Sequence, residues 1–444
     1  MLSSSSSPSS SSSSAPSPSP TAAASTPRHT RLPGSRAAVA AAAAAARAAA
    51  PVAVAVRATL DVAYGAHARH RLDFYAPERG AAGAGDPASS SLSPLLLPGQ
   101  QAAPAPLLPV IVVAHGGGWK KGSARSPLVR VHANVGRALA RRGFLVAVIN
   151  YRKSSLGLQV MLPLYCLQSA LAGLALLAIA GRALAPAPVP PGATAACFVA
   201  PLLLSLASQF LWWGSSGRGV RHPAHTDDLV RATAFVHANA ARFGGDAARL
   251  ALVGHSAGAH MAMMAVLRND SDGDEPLLPR GAVRAVAALS GVYDGELLAG
   301  EAPGTGALAR CARRQLYMEP VFGLDRAAWP LCFPVGVLRA REREREAAVA
   351  VVDGSGEGKV PPPPPPPPPP LPILLLNVQR DWTLETHTDV LFPLLLARPD
   401  LFDAERVSVE GGEHASTIFQ FDLPGSLGDA VIAQCVAEWL LRRL

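Results

Sequence analysis

The sequence predicts an α/β protein in which a mainly parallel central sheet is flanked by helices. Short apolar, β-branched runs alternate with segments of helical spacing, the pattern of strands joined by crossover helices. Runs such as LPVIVVA (108–114) are apolar throughout, as strands buried on both faces must be. A G-x-S-x-G pentapeptide, Gly254-His255-Ser256-Ala257-Gly258, lies between a strand pattern (LALVG, 250–254) and an apolar helix (AHMAMMAVL). That is the strand-to-helix setting in which such a turn lifts a serine above a sheet.

In chain order, 58–65 and 70–76 read as an opening strand pair, and an Ala/Gly/Ser/Pro loop follows over 79–106. After strand 108–114, Ser126-Pro127 suits an N-cap and first helical position. Leu128, Val131, Val135 and Leu139 continue at helical spacing up to Gly143. Strand 144–151 comes next, and Thr226-Asp227-Asp228 opens a helix with its acids at the positive end of the dipole. Strands 250–254, 283–289, 371–378 and 406–410 complete the sheet, and 427–443 forms the closing helix.

Composition bounds the remainder. Residues 1–57 hold no Asp or Glu, are rich in Ser, Ala and Pro, and carry five arginines of a chain whose formal net charge is +8. This reads as a disordered leader or an organelle transit peptide, with a plastid favoured over a mitochondrion. The rest of the chain is only mildly basic and has no Lys/Arg cluster interleaved with aromatics, so nucleic acid is not an expected partner. The five cysteines are dispersed and form no C-x-x-C, which indicates neither a disulfide framework nor a metal site.

Two segments interrupt the domain expected over 58–444. Residues 154–220 are uncharged between 154 and 217 apart from Arg182, and 158–181 and 193–213 each approach the ~20 apolar residues that span a bilayer. The expectation is a transmembrane hairpin, the rivals being a hydrophobic lid and an anchor lying in one leaflet. Arg152, Lys153, Arg218 and Arg221 flank it, which places the domain on the positive-inside face of the membrane. Residues 341–370 contain R-E-R-E-R-E, a Gly-rich stretch and ten consecutive prolines, expected as a low-complexity loop with a conceivable polyproline-binding partner.

Covalent hydrolysis of an ester needs a nucleophile, a base, a group that orients the base, and N–H donors for the oxyanion. Ser256 is the candidate nucleophile. His115-Gly116-Gly117-Gly118-Trp119 follows strand 108–114, so the N–H groups of Gly117 and Gly118, with that of Ala257, are the candidate oxyanion hole. Asp381, just past LPILLLNV, is the candidate acid, with Glu385 and Asp389 as rivals. His414, in GGEHAST, is the candidate base, with His387 as the competitor. His115, His255 and His260 read as packing residues, and His222 and His225 as surface or cap residues. The reaction calls for no metal or organic cofactor.

At these residues the chain resembles the esterase-lipase branch of the α/β-hydrolases that carries HGGGW and GHSAGAH, and in particular prenylcysteine methylesterase-like and kynurenine formamidase-like proteins. The resemblance covers 58–153 and 221–444, including YGAHARHRLDFYAP, RFGGDAARLALVGHSAGAH, LSGVYD and GGEHASTIFQFDLPG. It implies the α/β-hydrolase fold and the triad Ser256, Asp381 and His414, with Gly117, Gly118 and Ala257 at the oxyanion hole. One departure is Asn377-Val378-Gln379 before the acid, where a His-Gly often stands. The expected function is a membrane-associated serine esterase acting on lipophilic esters, either prenylcysteine methyl ester-like compounds or acyl lipids, in a plastid or endomembrane. An arylformamidase and a non-catalytic membrane scaffold are the alternatives.

Overall fold

A computed structural model describes residues 29–32, 54–78, 106–125, 131–155, 166–174, 177, 199, 203, 219–268, 278–279, 281–301, 304–352, 368–423, 426 and 428–444. Nine strands, β1 (His29–Leu32), β2 (Val56–Ala63), β3 (Arg71–Pro77), β4 (Leu108–Ala114), β5 (Leu145–Ile149), β6 (Gly245–His255), β7 (Val283–Leu289), β8 (Leu371–Arg380) and β9 (Phe402–Glu413), form one sheet. Their order is β1-β9-β8-β7-β6-β4-β5-β3-β2. β2 and β3 pair antiparallel, as do β3 and β5, and every other pairing is parallel.

Strand periodicity of two explains how the sheet is covered. Val110 and Val112 of β4, Leu250 and Leu252 of β6, and Ile373 and Leu375 of β8 all point into one core. Helices α2 (Ala224–Asn239) and α3 (Ala257–Arg268) cover that face with Leu229, Val236, Met261 and Met263. Ile111, Val113, Ala251, Val253, Leu374 and Leu376 point the other way, under α1 (Ala133–Arg141) and the C-terminal helix Gln434–Arg443. Each central strand is thus buried on both faces, which is why its sequence is apolar without alternation.

Several expectations meet a different structure. β6 and β9 run longer than the apolar runs that announced them, because their polar ends still find ladder partners. α2 begins at Ala224, two residues before the expected start. Residues 126–130, where the preceding helix was expected to begin, lie outside the described residues. Within the leader 1–57, residues 29–32 form a strand beside β9, with His29 opposite Arg406. Apart from these and 54–57, the leader also lies outside the described residues.

The R-E-R-E-R-E run is helical, inside Pro334–Val352, rather than part of a loop. Arg and Glu are good helix formers, and their alternation sets opposite charges three residues apart. The polyproline stretch is described only from 368 onward. Of the expected segment 154–220, its ends at 154–155 and 219–220 are described and are not helical, whereas 166–174, 177, 199 and 203 are described and helical. Among the described residues no helix is long and apolar enough to cross a membrane.

Candidate active site

Ser256 occupies the single position between the end of β6 and the start of α3. Its φ is 54°, in the left-handed region that non-glycine residues rarely adopt. The small flanking residues are a steric requirement. A Cβ on Gly258 would lie 2.1 Å from the Ala114 carbonyl oxygen, and one on Gly254 would lie 2.3 Å from that of Gly258. The turn is pinned by the Ser256 N–H, which donates to the Leu289 carbonyl at 2.9 Å, and by the Ser256 carbonyl, which accepts from Ala259 and His260. The serine is half-buried amid buried neighbours. The Ala257 N–H opens α3, so no carbonyl of the helix takes it.

The glycine loop after β4 lies directly against this elbow. A Cβ on Gly116 would lie 3.1 Å from the Cβ of Ser256 and 2.7 Å from the His255 ring, so only glycine lets the strands approach so closely. Gly117, Gly118 and Trp119 have φ of 115°, 59° and 59°, positive values that glycine adopts freely at the first two positions. The loop is held by the Gly117 carbonyl, which accepts from the N–H groups of Lys120 and Lys121. Trp119 packs edge-on to His260 and Phe322. The Lys120 ammonium donates to the Leu316 carbonyl and sits 4.0 Å from the ring centroid of Tyr317, joining the loop to the turn Arg314–Met318. Burial pushes Lys120 down to about 7.

His414 and Asp381 come together from the ends of β9 and β8. The two side chains are buried, and His414 Nδ1 lies 2.7 Å from Asp381 Oδ1. The Asn377 amide donates to the other carboxylate oxygen at 2.7 Å, so the residue standing where His-Gly was expected supports the acid. The loop is fixed by the His414 N–H on the Arg380 carbonyl and by the Thr417 hydroxyl on the His414 carbonyl. The His255 ring lies 4.7 Å from that of His414 and its Nε2 donates to the His414 carbonyl at 3.3 Å. The imidazole is thereby held beside the residue that precedes Ser256. Burial next to His414 keeps His255 neutral, its pKa well below the ordinary value.

The rivals are otherwise engaged. Glu385 and Asp389 pair with Arg406. His387 is buried, with Nδ1 accepting from the N–H of Asp294 at 3.0 Å, and burial lowers its pKa to about 4. His115 is fully buried beneath Tyr151 and its Nδ1 lies 2.7 Å from the Gly116 carbonyl, a packing role as read from the sequence.

His225 is a correction. It lies inside α2, fully buried, with Nε2 3.0 Å from the Ser154 hydroxyl. Asp228 follows one turn later, which gives a second set of Ser, His and Asp. Its carboxylate, however, binds Arg152 (2.7 Å to Nη2) and His70 (3.0 Å to Nε2), while His225 Nδ1 is buried without a partner. Ser154 also donates to the Val220 carbonyl at 2.7 Å, so this set ties together the two ends of the 154–220 segment.

A protein-family model, BD-FAE, matches residues 95–163 and 216–303, on either side of most of the apolar segment. The chain is 42% identical over 78 residues to Esterase LipQ of Mycobacterium tuberculosis (strain ATCC 25618 / H37Rv), and 37% identical over 73 residues to Esterase LipC of the same organism. Each alignment spans 16% of this chain and 18% of the relative's length. Among solved structures, esterase Est22 aligns with a TM-score of 0.49 at 16% identity, over 93% of this chain and 94% of that one. A truncated carbohydrate esterase from gut microbiota aligns with a TM-score of 0.48 at 16% identity, over 89% and 98%.

Proposed function

We propose that this chain, which belongs to the esterase-lipase branch of the α/β-hydrolases, hydrolyses carboxylic esters through Ser256, His414 and Asp381. The observation that carries this is the buried Asp381–His414 pair, 2.7 Å apart, with the His414 ring 4.7 Å from that of His255, the residue before Ser256, whose own φ is 54°. With Nδ1 engaged by the acid, the imidazole has Nε2 left for the Ser256 proton as the hydroxyl attacks the carbonyl carbon. The developing oxyanion meets the N–H groups of Gly117, Gly118 and Ala257, each such donor being worth about 3 kcal/mol in related chemistry. Collapse of the tetrahedral adduct expels the alcohol, and water then releases the acid from Ser256.

The natural substrates proposed are lipophilic esters met at a membrane surface, such as prenylcysteine methyl ester-like compounds or acyl lipids. Support comes from the 154–220 segment, which leaves the domain just beyond β5 at the carboxyl end of the parallel strands, where ligands bind in such sheets. Its described residues include the exposed Leu167, Leu174, Leu177, Val199 and Leu203, an apolar surface that water does not favour. The test is to label the full chain with a fluorophosphonate and to compare ester turnover with and without phospholipid vesicles. Labelling lost in Ser256→Ala, and faster turnover of long-chain esters on vesicles, are the expected results. A wild-type chain that takes no label would overturn the assignment.

A further inference from the structure

We infer that Trp382 forms the alcohol side of the substrate site, so that its indole selects esters by their leaving group rather than by their acyl chain. The inference rests on the hydrolase reading above. Trp382 is 71% exposed, whereas the other described tryptophans, Trp119, Trp329 and Trp439, are buried. An indole kept for packing would be covered. Instead the ring is tilted against the imidazole of His414, with ring centroids 4.4 Å apart and planes at 31°.

The backbone beneath it is strained in a way that packing does not require. Trp382 and Thr383 follow one another in the left-handed region, with φ of 50° and 70°, although neither is glycine and Thr is β-branched. The Leu384 N–H donates to the Asp381 carbonyl at 2.9 Å and the Thr386 N–H to the Thr383 carbonyl at 3.1 Å, which closes the turn. The turn that delivers the acid to His414 therefore also stands the indole beside it.

Reaction order says what the indole touches. His414 Nδ1 is held by Asp381, so Nε2–H returns the serine proton to the oxygen of the departing alkoxide as the carbon–oxygen bond breaks. The alcohol must then lie against this imidazole, and a ring set 4.4 Å from the imidazole borders the alcohol. The carbonyl oxygen is directed instead to the N–H groups of Gly117, Gly118 and Ala257. After the alcohol has left, only water stands beside Trp382, so the indole acts on acylation and not on deacylation.

Two ester series test this on the full chain. One varies the alcohol (methyl, benzyl, 1-naphthyl) on a constant acetyl group, and the other varies the acyl chain on a constant alcohol. Trp382→Ala is expected to lower kcat/KM for benzyl and naphthyl acetates about tenfold or more relative to methyl acetate. Trp382→Phe should retain most of the discrimination. The acyl-chain profile and the hydrolysis rate of the shared acetyl-enzyme should not move. An equal loss across alcohols, or a shifted acyl-chain preference, would overturn the inference. Fluorophosphonate labelling, in which fluoride is the leaving group, separates the two readings. An unlabelled wild type defeats the hydrolase assignment, whereas wild-type labelling rates in the variants with unchanged alcohol discrimination defeat only the role of Trp382. Should Trp382→Ala fail to fold, Trp382→Phe and Trp382→Leu carry the same comparison.

Discussion

Among the described residues, two sets of Ser, His and Asp differ in everything except composition. In one, Asp381 engages the Nδ1 of His414, and Ser256 sits half-buried on a strained turn. In the other, Ser154 and His225 are fully buried, Asp228 is claimed by Arg152 and His70, and His225 Nδ1 has no partner. Burial pushes His225 down to about 3, so its ring stays neutral and cannot hold a serine proton near neutral pH. A nucleophile therefore requires an acid on the far nitrogen and an approach for the substrate, and a Ser–His hydrogen bond alone supplies neither.

The largest contrast comes from the serines. Ser256→Ala is expected to lower kcat by roughly 10⁴–10⁶-fold and to abolish fluorophosphonate labelling. Ser154→Ala should keep labelling and lower stability by about 1–3 kcal/mol, because the Val220 carbonyl and His225 lose a partner. Labelling that survives in Ser256→Ala and vanishes in Ser154→Ala would invert the assignment.

The acids come next. Asp381→Asn should cost about 10⁴-fold in kcat with little loss of folded protein, since an amide holds the wrong imidazole tautomer. Asp228→Asn should instead destabilise by about 2–4 kcal/mol, the upper range for buried pairs being discounted because the Arg152 side chain is partly exposed. Circular dichroism melts alongside steady-state rates distinguish the two effects. Asn377→Ala should fall below both, near tenfold in kcat, because it removes one hydrogen bond from Asp381 and leaves the pair with His414 intact.

Acid acts on several buried rings at once. His132, His260 and His387 are each lowered to about 4, and His225 to about 3, by burial. Above pH 6.5 these rings are neutral whether the chain is folded or unfolded, so they exert no pH dependence. Below it the unfolded chain takes up protons that the folded chain refuses, and each ring costs about 1.4 kcal/mol per pH unit until its folded pKa is reached. The melting temperature should therefore fall steadily from pH 6.5 towards pH 4, and His387→Gln should shallow that slope if its own fold survives. A flat profile across that window would mean the rings are not sealed from water.

Much of this was legible in the sequence because strands buried on both faces announce themselves as unbroken apolar runs. β4, β7 and the core of β6 coincide with theirs. Asp381 and His414 were legible for a related reason: each stands just past a strand, where the topology collects polar side chains. What stayed hidden depends on contacts between distant segments. Nothing local marks Asn377 as the partner of Asp381, Trp382 as the neighbour of His414, or His225 as buried under Ser154. The strand at 29–32 was equally silent, since it is exposed and defined only by pairing with β9.

The stem of the apolar segment is narrow: Ser154 and Val220 are one hydrogen bond apart. The Ser154 N–H also donates to the carbonyl of Trp119, at the end of the glycine loop. A segment attached in this manner can be trimmed, lengthened or exchanged over evolutionary time without shifting a single rung of the β-ladder. Any tug it does exert arrives first at the glycine loop that ends in Trp119.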